Sequence, residues 1–245
     1  MNKIEYERME ERERSYWWHT GRLKIIETYI KIFVNKTGTT KILNIGCGTG
    51  GTIKMLEKYG VTDNVDISNE AIRLMKSNGF DRITKVEGIK LPFKNGSYDL
   101  VGSFDVLEHI DEDIDALKEW KRVLKKNGSI VISVPAYQWL WSGHDVSLHH
   151  FRRYTIKDLN DKAKKAGLVP VRKSYAIVFS LPLVAGFRAI AKISNKQTTS
   201  ETSYVDVPVF VNKLFELLLF AEARLHKYIS FPFGTSVIIV LKKSS

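Results

Sequence analysis

A short β-strand and a glycine turn are encoded by the stretch KILNIGCGTGG, residues 41–51. Its first five residues are rich in strand-forming side chains, and Gly46, Gly48, Gly50 and Gly51 follow at once. Apolar residues favouring a helix come after the turn, at Ile53, Met55, Leu56 and Tyr59. The sequence therefore predicts a strand, a glycine turn and a helix, in that order.

A turn of this kind is typical of nucleotide-binding sites. Glycines at the end of a strand let the backbone approach a bound nucleotide, and an acid about twenty residues later accepts hydrogen bonds from the ribose hydroxyls. Asp66 ends the predicted second strand and suits that role. The spacing of Gly46, Gly48 and Gly51 also satisfies the dinucleotide pattern G-x-G-x-x-G. A dehydrogenase, or a glycine turn with no ligand, therefore remains open at this point.

Strands and helices alternate along the rest of the chain. Further strands are predicted at 62–66, 83–87, 98–103, 129–134, 171–178 and 235–241, with helices at 69–78, 114–125 and 156–167. This alternation indicates an α/β fold with an open, doubly wound and mostly parallel sheet. Ligands of such sheets bind beyond the carboxyl ends of the strands.

Two segments lie outside the alternation. Residues 3–14 alternate Glu and Arg as in a solvated helix, and they lead to an aromatic cluster and a second helix that ends near 35–38. Residues 179–233 separate two strands that a tight hairpin could join. We therefore divide the chain into an N-terminal helical cover at 1–38, a core at 39–178 and 234–243, and a helical insertion at 179–233.

Four motifs follow one another in a characteristic order. The strand and turn are followed by VDIS at 65–68, by Glu87 ahead of LPF at 91–93, and by YDLV at 98–101 with DVLEHI at 105–110. Over residues 40–155 this order resembles the class I S-adenosylmethionine-dependent methyltransferases, and most of all the small-molecule branch that includes quinone-biosynthesis enzymes. The resemblance implies a Rossmann-like, mostly parallel sheet of seven strands, S-adenosylmethionine as cofactor, and methyl transfer.

The resemblance also implies which residues hold the cofactor. The turn would contact its amino acid moiety, Asp66 its ribose hydroxyls, Glu87 its adenine amine, and Arg22 its carboxylate. The full predicted set is Trp18, Arg22, Asn44, Gly46, Cys47, Gly48, Gly50, Asp66, Ile67, Glu87, Gly88 and Phe104.

Structural alternatives apply to the same residues. Asp66 and Glu87 could be helix caps or surface charges, Arg22 could form a surface ion pair, and Trp18 could pack in the core. Cys47 is assigned as a small buried residue rather than a nucleophile. Asn64 and the VEG of residues 86–88 depart from the family pattern, so Asp66 is the firmer of the two acid assignments.

Methyl transfer from a sulfonium is an in-line displacement that depends on positioning. A hydroxyl or ammonium acceptor must still lose a proton, and histidine is the usual base. Relatives with a similar His before Arg-Arg-Tyr point to residues 143–154, where His144 and His149 are candidate bases and Arg153 and Tyr154 are orienting or anion-binding groups. The alternative is that Arg153 and Tyr154 only pin the loop. His109 is assigned a donor-site or structural role.

The charge of the chain is concentrated in its second half. Lys and Arg number 38 against 27 Asp and Glu, and residues 111–245 hold 21 against 12. Such an excess suggests an anionic partner. In the insertion these cations accompany an apolar helix at 209–228. We expect this insertion to cap the acceptor site for a lipid-like or lipid-linked acceptor, to meet an anionic membrane surface, or to form a homodimer contact, with packing on the parent domain as the default.

Other classes are excluded or disfavoured by composition. A single cysteine excludes an intrachain disulfide and indicates a reducing compartment. No export segment and no bilayer-spanning run is found, so we expect a cytoplasmic protein, peripheral at most on the inner membrane surface. No His, Cys and Asp ligands are clustered, so no metal is expected.

The acceptor class is left open by these patterns. We favour methyl transfer to an oxygen, nitrogen or carbon of a small molecule, with oxygen slightly preferred. An RNA or protein methyltransferase that uses the basic C-terminal half is one alternative, although no standard nucleic-acid motif appears. A non-catalytic cofactor-binding protein is the other alternative.

Overall fold

A computed structural model describes residues 10–34, 40–193 and 207–244, the side chains of 187–193 excepted. The helices are α1 (10–15), α2 (Trp17–Phe33), α3 (Gly51–Leu56), α4 (Asn69–Ser77), α5 (Asp113–Val123), α6 (Gly143–Ser147), α7 (Ile156–Lys165), α8 (Ser180–Ile193) and α9 (Val209–Leu225). Short 3₁₀ turns cover Leu107–His109 and Gln138–Leu140. Of the helix predicted at 3–14, residues 3–9 lie outside the described residues.

Seven strands form one mixed sheet. They are β1 (Lys41–Ile45), β2 (Val61–Asp66), β3 (Ile83–Lys85), β4 (Tyr98–Phe104), β5 (Leu124–Pro135), β6 (Leu168–Ala176) and β7 (Ser236–Lys243), in the order β3-β2-β1-β4-β5-β7-β6. All pairs are parallel except those of β7, which is antiparallel to both β5 and β6. The predicted doubly wound sheet is confirmed, and its strand order reverses between β1 and β4, where such sheets bind ligands.

The sixth strand begins earlier than the sequence predicted. It starts at Leu168 rather than at residue 171, and its register with β7 shifts between Pro170 and Arg172. A proline cannot donate to the hydrogen-bond ladder, but an edge strand with a bulge tolerates it. Because β6 lies at an edge of the sheet, the strand can begin before Pro170 and continue through it.

Capping side chains fix where the helices around the site begin. Ser68 directly after β2 accepts a hydrogen bond from the amide of Ala71 and starts α4. Thr155 and Asp158 form a capping box that starts α7. Each cap satisfies an amide that the first helical turn leaves unpaired. These caps therefore fix the positions at which α4 and α7 begin.

The two faces of the sheet bury separate apolar clusters. Under α5 and α7 the cluster includes Trp120, Leu159 and Ile132, and under α2 and α9 it includes Tyr29 and Leu219. Every one of these side chains is at most 2% exposed. At roughly 1.5–3 kcal/mol for each large apolar side chain removed from water, both faces contribute strongly to the free energy of unfolding.

The insertion packs against the N-terminal helix and against the sheet. Asn212 of α9 accepts a hydrogen bond from the amide of Trp17 at 3.0 Å and donates one to the carbonyl of Ser15 at 2.9 Å. Glu222 accepts from the amides of Ile177 and Val178, directly after β6. Packing on the parent domain, the default expectation, therefore accounts for one face of α9.

We predict that Gly21→Ala destabilises the contact between α2 and α9. A Cβ on Gly21 would lie 2.1 Å from Leu219 Cδ1, so the helices must separate, and overpacking of this kind typically costs about 1–3 kcal/mol. Urea unfolding measures the loss. Gly186→Ala in α8 is the matched control, because nothing lies within 4 Å of that added Cβ. Equal stabilities of the two variants would contradict the packing.

Candidate active site

The glycine turn after β1 adopts backbone conformations that require glycine. Gly46 and Gly50 have φ angles of 71° and 90°, which other residues adopt only with strain. A Cβ on Gly46 would lie 2.3 Å from Val106 Cγ2, and one on Gly50 would lie 2.3 Å from Met75 Sδ. At Gly48, by contrast, nothing lies within 4 Å of that position. The turn is therefore packed at its ends and open in the middle, as a cradle for a ligand requires.

Asp66 links the end of β2 to this turn. Its carboxylate accepts a hydrogen bond from the amide of Gly48 and another from the amide of Ser68, each at 2.9 Å. The side chain remains partly exposed at the carboxyl edge of the sheet. The capping alternative therefore holds in part, because Asp66 organises both the turn and the start of α4. Its assignment to the ribose stays a prediction.

Other predicted cofactor residues differ in their exposure. Asn44 is fully buried and donates hydrogen bonds to Thr52 and Asn64, so it joins β1, β2 and α3. Ile67 is 68% exposed, directly after Asp66. The side chain of Glu87 is 89% exposed and lies 3.9 Å from Lys85 Nζ. The assignments of these residues to the cofactor stay predictions.

Cys47 is buried within the turn. Burial, followed by the nearby charge of Asp66, raises the pKa of the Cys47 thiol far above its ordinary value. The thiolate is the nucleophilic form of cysteine. Cys47 is therefore a neutral packing residue, in agreement with the interpretation of the sequence.

Arg22 reaches from α2 to the end of β4. Its Nε lies 2.7 Å from Asp105 Oδ2, and its Nη2 donates to the carbonyl of Phe104 at 3.2 Å. The guanidinium also stands over the Trp18 ring, 5.2 Å from its centroid. The alternative of a surface ion pair is wrong, because the Arg22 side chain is only 12% exposed. Three predicted cofactor residues, Trp18, Arg22 and Phe104, are thus brought together by tertiary contact.

Glu13 is a site residue that sequence reasoning missed. It extends from α1 to the glycine turn, where its Oε2 would lie 2.6 Å from a Cβ on Gly51. Burial raises the pKa of Glu13 above its ordinary value, although the polar groups of Thr49 and Gly51 and the charge of Arg22 oppose the rise. Its position within a Glu/Arg repeat carried no signal that this acid would turn inward.

A buried ionic network organises the loop after β5. Asp145 is fully buried, and Arg153 binds its two carboxylate oxygens at 2.7 and 3.0 Å. His150 Nδ1 lies 2.9 Å from the same carboxylate. Despite the opposing effect of burial, these partners hold the pKa of Asp145 well below its ordinary range. Asp145 also completes a capping box with Ser142 at the start of α6.

The predicted roles of Arg153 and Tyr154 at an acceptor need correction. Arg153 already forms an ion pair with Asp145, and its side chain is only 10% exposed. Tyr154 is buried, and its hydroxyl donates to Asp113 Oδ2 at 2.9 Å. Burial and the charge of Asp113 raise the pKa of Tyr154 far above its ordinary value. Both side chains therefore pin the loop, which was the alternative interpretation.

The two candidate bases occupy different surroundings. His144 lies in α6, half-buried, and its amide donates to Ser142 Oγ. His149 is exposed and has a φ of 57°, while the next residue, His150, enters the buried network. The structure therefore leaves His144 near that network and keeps His149 outside it.

His150 instead meets two residues of the DVLEHI motif. Ligand atoms of Glu108, His109 and His150 all lie within 4.8 Å of one another. The expectation that the chain has no clustered ligands is therefore wrong, because residues about forty positions apart come together when the loops after β4 and β5 pack. No signal in the spacing could have indicated this contact.

Comparison with known proteins agrees with this geometry. Residues 43–132 match a family described as a methyltransferase domain. The chain is 23% identical over 159 residues to cycloartenol-C-24-methyltransferase 1 of Oryza sativa subsp. japonica, covering 61% of this chain and 44% of the relative. It is 23% identical over 151 residues to the ubiquinone biosynthesis O-methyltransferase of Haemophilus ducreyi, covering 54% of this chain and 64% of that protein. The chain thus spans less than two thirds of either relative.

Solved structures share the fold. A methyltransferase of Haloferax volcanii in complex with the Trm112 methyltransferase activator superposes with a TM-score of 0.61, at 18% identity, over 99% of this chain and 94% of that chain. A SAM-dependent methyltransferase of Aquifex aeolicus gives 0.54 at 17% identity, over 71% and 93%. Together with the glycine turn and the strand order, these matches show a methyltransferase domain of the class I fold over residues 43–132, a kind of domain that uses S-adenosylmethionine as its cofactor.

Proposed function

We propose that this chain transfers a methyl group from S-adenosylmethionine to an oxygen of a small, amphipathic, lipid-like or lipid-linked acceptor. The observation that carries the lipid-like character of the acceptor is an aromatic cluster formed by the N-terminal cover and the insertion. Trp17 lies 5.6 Å from Phe179 and 5.1 Å from Phe215 between ring centroids, and the two phenylalanines are 5.2 Å apart. Phe179 follows β6, so the cluster lies toward the carboxyl edge of the sheet.

An unpaired hydrogen-bond donor in this cluster favours an acceptor molecule that has a polar end. Trp17 Nε1 is buried and has no hydrogen-bond partner among the described residues. A buried donor left unpaired costs about 1–3 kcal/mol, so a ligand that accepts its hydrogen bond would recover that energy. Apolar walls with few polar groups are typical of small-molecule sites.

Residues of the cover and the turn would hold the donor molecule by its charged ends. Arg22 can pair with the carboxylate, Glu13 stands beside the turn for the ammonium, and Asp66 would accept from the ribose hydroxyls. The bound donor supplies an electrophilic methyl group. The protein's own contribution is to hold the acceptor in line with that methyl group and to exclude water. Positioning of this kind lowers the activation barrier strongly. His144 remains our proposed base for the acceptor hydroxyl.

Other acceptor classes can be distinguished by following labelled methyl groups in an extract. The names of the two relatives above include a carbon and an oxygen methyltransferase, so the acceptor atom is inferred here only from the general preference for hydroxyl acceptors. Transfer of labelled methyl groups to RNA or protein fractions of an extract, rather than to the lipid fraction, would replace the proposal. Cofactor binding without any transfer would leave a binding protein.

We predict that Asp66→Asn weakens binding of S-adenosylhomocysteine about 10–100-fold, the equivalent of the roughly 1.5–3 kcal/mol of a hydrogen bond to a charged group. Isothermal calorimetry measures the affinity. Glu70→Gln is the control, because this carboxylate in α4 pairs with Arg73 at 3.9 Å, outside the turn. Unchanged affinity in Asp66→Asn, or an equal loss in the control, would contradict the proposed cofactor site.

The outer face of α9 supports a membrane surface as the place where the acceptor is met. Helical spacing aligns exposed apolar side chains along this face, which we call the α9 stripe: Phe210, Leu214, Leu217, Leu218 and Leu225. Lys213, Arg224 and Lys227 are also exposed. Apolar side chains flanked by cations suit the interface of an anionic bilayer.

Among the described helices, none has the length and apolar character needed to cross a bilayer. The proposal therefore places the enzyme in the cytoplasm, at the inner membrane surface.

We predict that the chain sediments with vesicles containing anionic lipid and that Leu214→Gln with Leu217→Gln reduces this binding about tenfold or more, because partial burial of each leucine contributes on the order of 1 kcal/mol. Val169→Gln is the control, because Val169 is 40% exposed on β6, outside the stripe. Failure of the unmodified chain to sediment would overturn the membrane proposal. A dimer in light scattering that the leucine changes dissociate would show that the stripe is a homodimer contact instead.

A further inference from the structure

Glu108, His109 and His150 form a compact cluster between two loops. Glu108 and His109 belong to the 3₁₀ turn after β4, and His150 to the loop that follows α6. The amide of Phe151 donates to the carbonyl of Glu108 at 2.8 Å and holds the two loops together. The ligand atoms of the three side chains lie within 4.8 Å of one another, so small side-chain rotations would bring all three to the roughly 2.0–2.2 Å that metal–ligand bonds require.

The Glu108 carboxylate is buried without compensation. The residue is 1% exposed, and neither side-chain oxygen has a hydrogen-bond partner among the described residues. An isolated buried carboxylate is costly, so such a group needs a proton or a cation.

His150 is oriented as metal-binding histidines are. Its Nδ1 lies 2.9 Å from Asp145 Oδ1, and donation to this carboxylate leaves the lone pair on Nε2. Asp145 is itself fixed by Arg153. Histidine ligands commonly donate their second ring N–H to a carboxylate or carbonyl in this way, because the bond fixes the tautomer and raises the basicity of the ligand.

His109 completes the set from the opposite loop. Its ring stands perpendicular to that of His150, with centroids 4.6 Å apart. His109 is the exposed member of the set. Imidazole is a common ligand of divalent transition metals.

We propose that Glu108, His109 and His150 bind one divalent transition-metal ion next to the cofactor site. Two imidazoles and one carboxylate favour zinc, iron or manganese over magnesium or calcium, which prefer oxygen ligands alone. Three protein ligands leave a coordination position open. Val106, two residues before Glu108, touches the glycine turn at Gly46, so the ion would lie close to the donor.

The open position gives the ion a role in the proposed reaction. An acceptor hydroxyl bound to the ion would lose its proton more easily to His144, the proposed base, because a metal lowers the pKa of a bound oxygen. The oxygen would then form the bond to the methyl carbon while the carbon–sulfur bond breaks and sulfur keeps the electron pair. This role rests on the proposed methyl transfer, but binding of the ion does not.

The experiment titrates Co²⁺ and Zn²⁺ into the full chain after treatment with a chelator. We expect one equivalent of Co²⁺ to produce visible absorption bands that Zn²⁺ abolishes. Glu108→Gln and His150→Gln should each weaken binding by more than the roughly 10–100-fold that loss of an outer partner of a ligand costs. His149→Gln, at the exposed neighbouring position, is the matched control and should bind the ion as the unmodified chain does.

Two further readouts keep the result interpretable. Zn²⁺ should raise the melting temperature of the unmodified chain but not that of Glu108→Gln, which should be at least as stable as the unmodified chain without metal because an unpaired carboxylate is gone. Calorimetry with S-adenosylhomocysteine, run on each variant, tests the methyltransferase proposal separately. The metal site would be overturned if the unmodified chain bound no ion, or if Glu108→Gln and His150→Gln bound it as tightly as the unmodified chain does. Either result would count even where the cofactor product binds.

Discussion

The glycine turn after β1 joins the ends of three strands because its backbone leaves no room for side chains where it meets them. Gly46 touches Val106 after β4, and the Gly48 amide bonds to Asp66 at the end of β2. Parallel pairing of β1 with both neighbours fixes these ends in one register. The donor site is thus a consequence of strand order, because only at the point where that order reverses do neighbouring loops diverge and leave a crevice.

Buried carboxylates on the other side of the crevice are of two kinds. Asp145 and Asp113 are each bonded to cationic groups, so that their charges are compensated inside the protein. Breaking such a pair would leave a buried charge, which explains how these contacts hold the loops after β4 and β5 together. Glu108 between them has no such partner among the described residues. Because Asp145 and Asp113 are compensated and Glu108 is not, Glu108 is the candidate for a bound cation.

The cover of the site is assembled from the two segments that stand outside the core. Asn212 bonds to the start of α2, and Glu222 bonds to the chain after β6, so α9 is held by its polar residues. Leu219 is buried against α2, but four other leucines of α9 are exposed, the reverse of the usual arrangement in a water-soluble helix: Leu214, Leu217, Leu218 and Leu225. The same layer contributes the Trp17 cluster on its inner side. In the proposed function, one pair of helices would therefore connect cofactor binding, acceptor entry and attachment to a membrane surface.

The sequence alone determined the strand–turn–helix unit, the doubly wound sheet and the position of Asp66, because these depend on residue periodicity and on the conformational freedom of glycine over a few neighbouring positions. Strand limits shifted by a few residues where an edge position tolerated a proline. Only the tertiary structure decided that His150 rather than His149 enters the buried network, that Asp145 neutralises Arg153, and that Glu13 turns toward the glycine loop. Contacts between distant loops select one side chain among similar neighbours by its burial and its charge partners, and the spacing of residues along a chain contains no record of either.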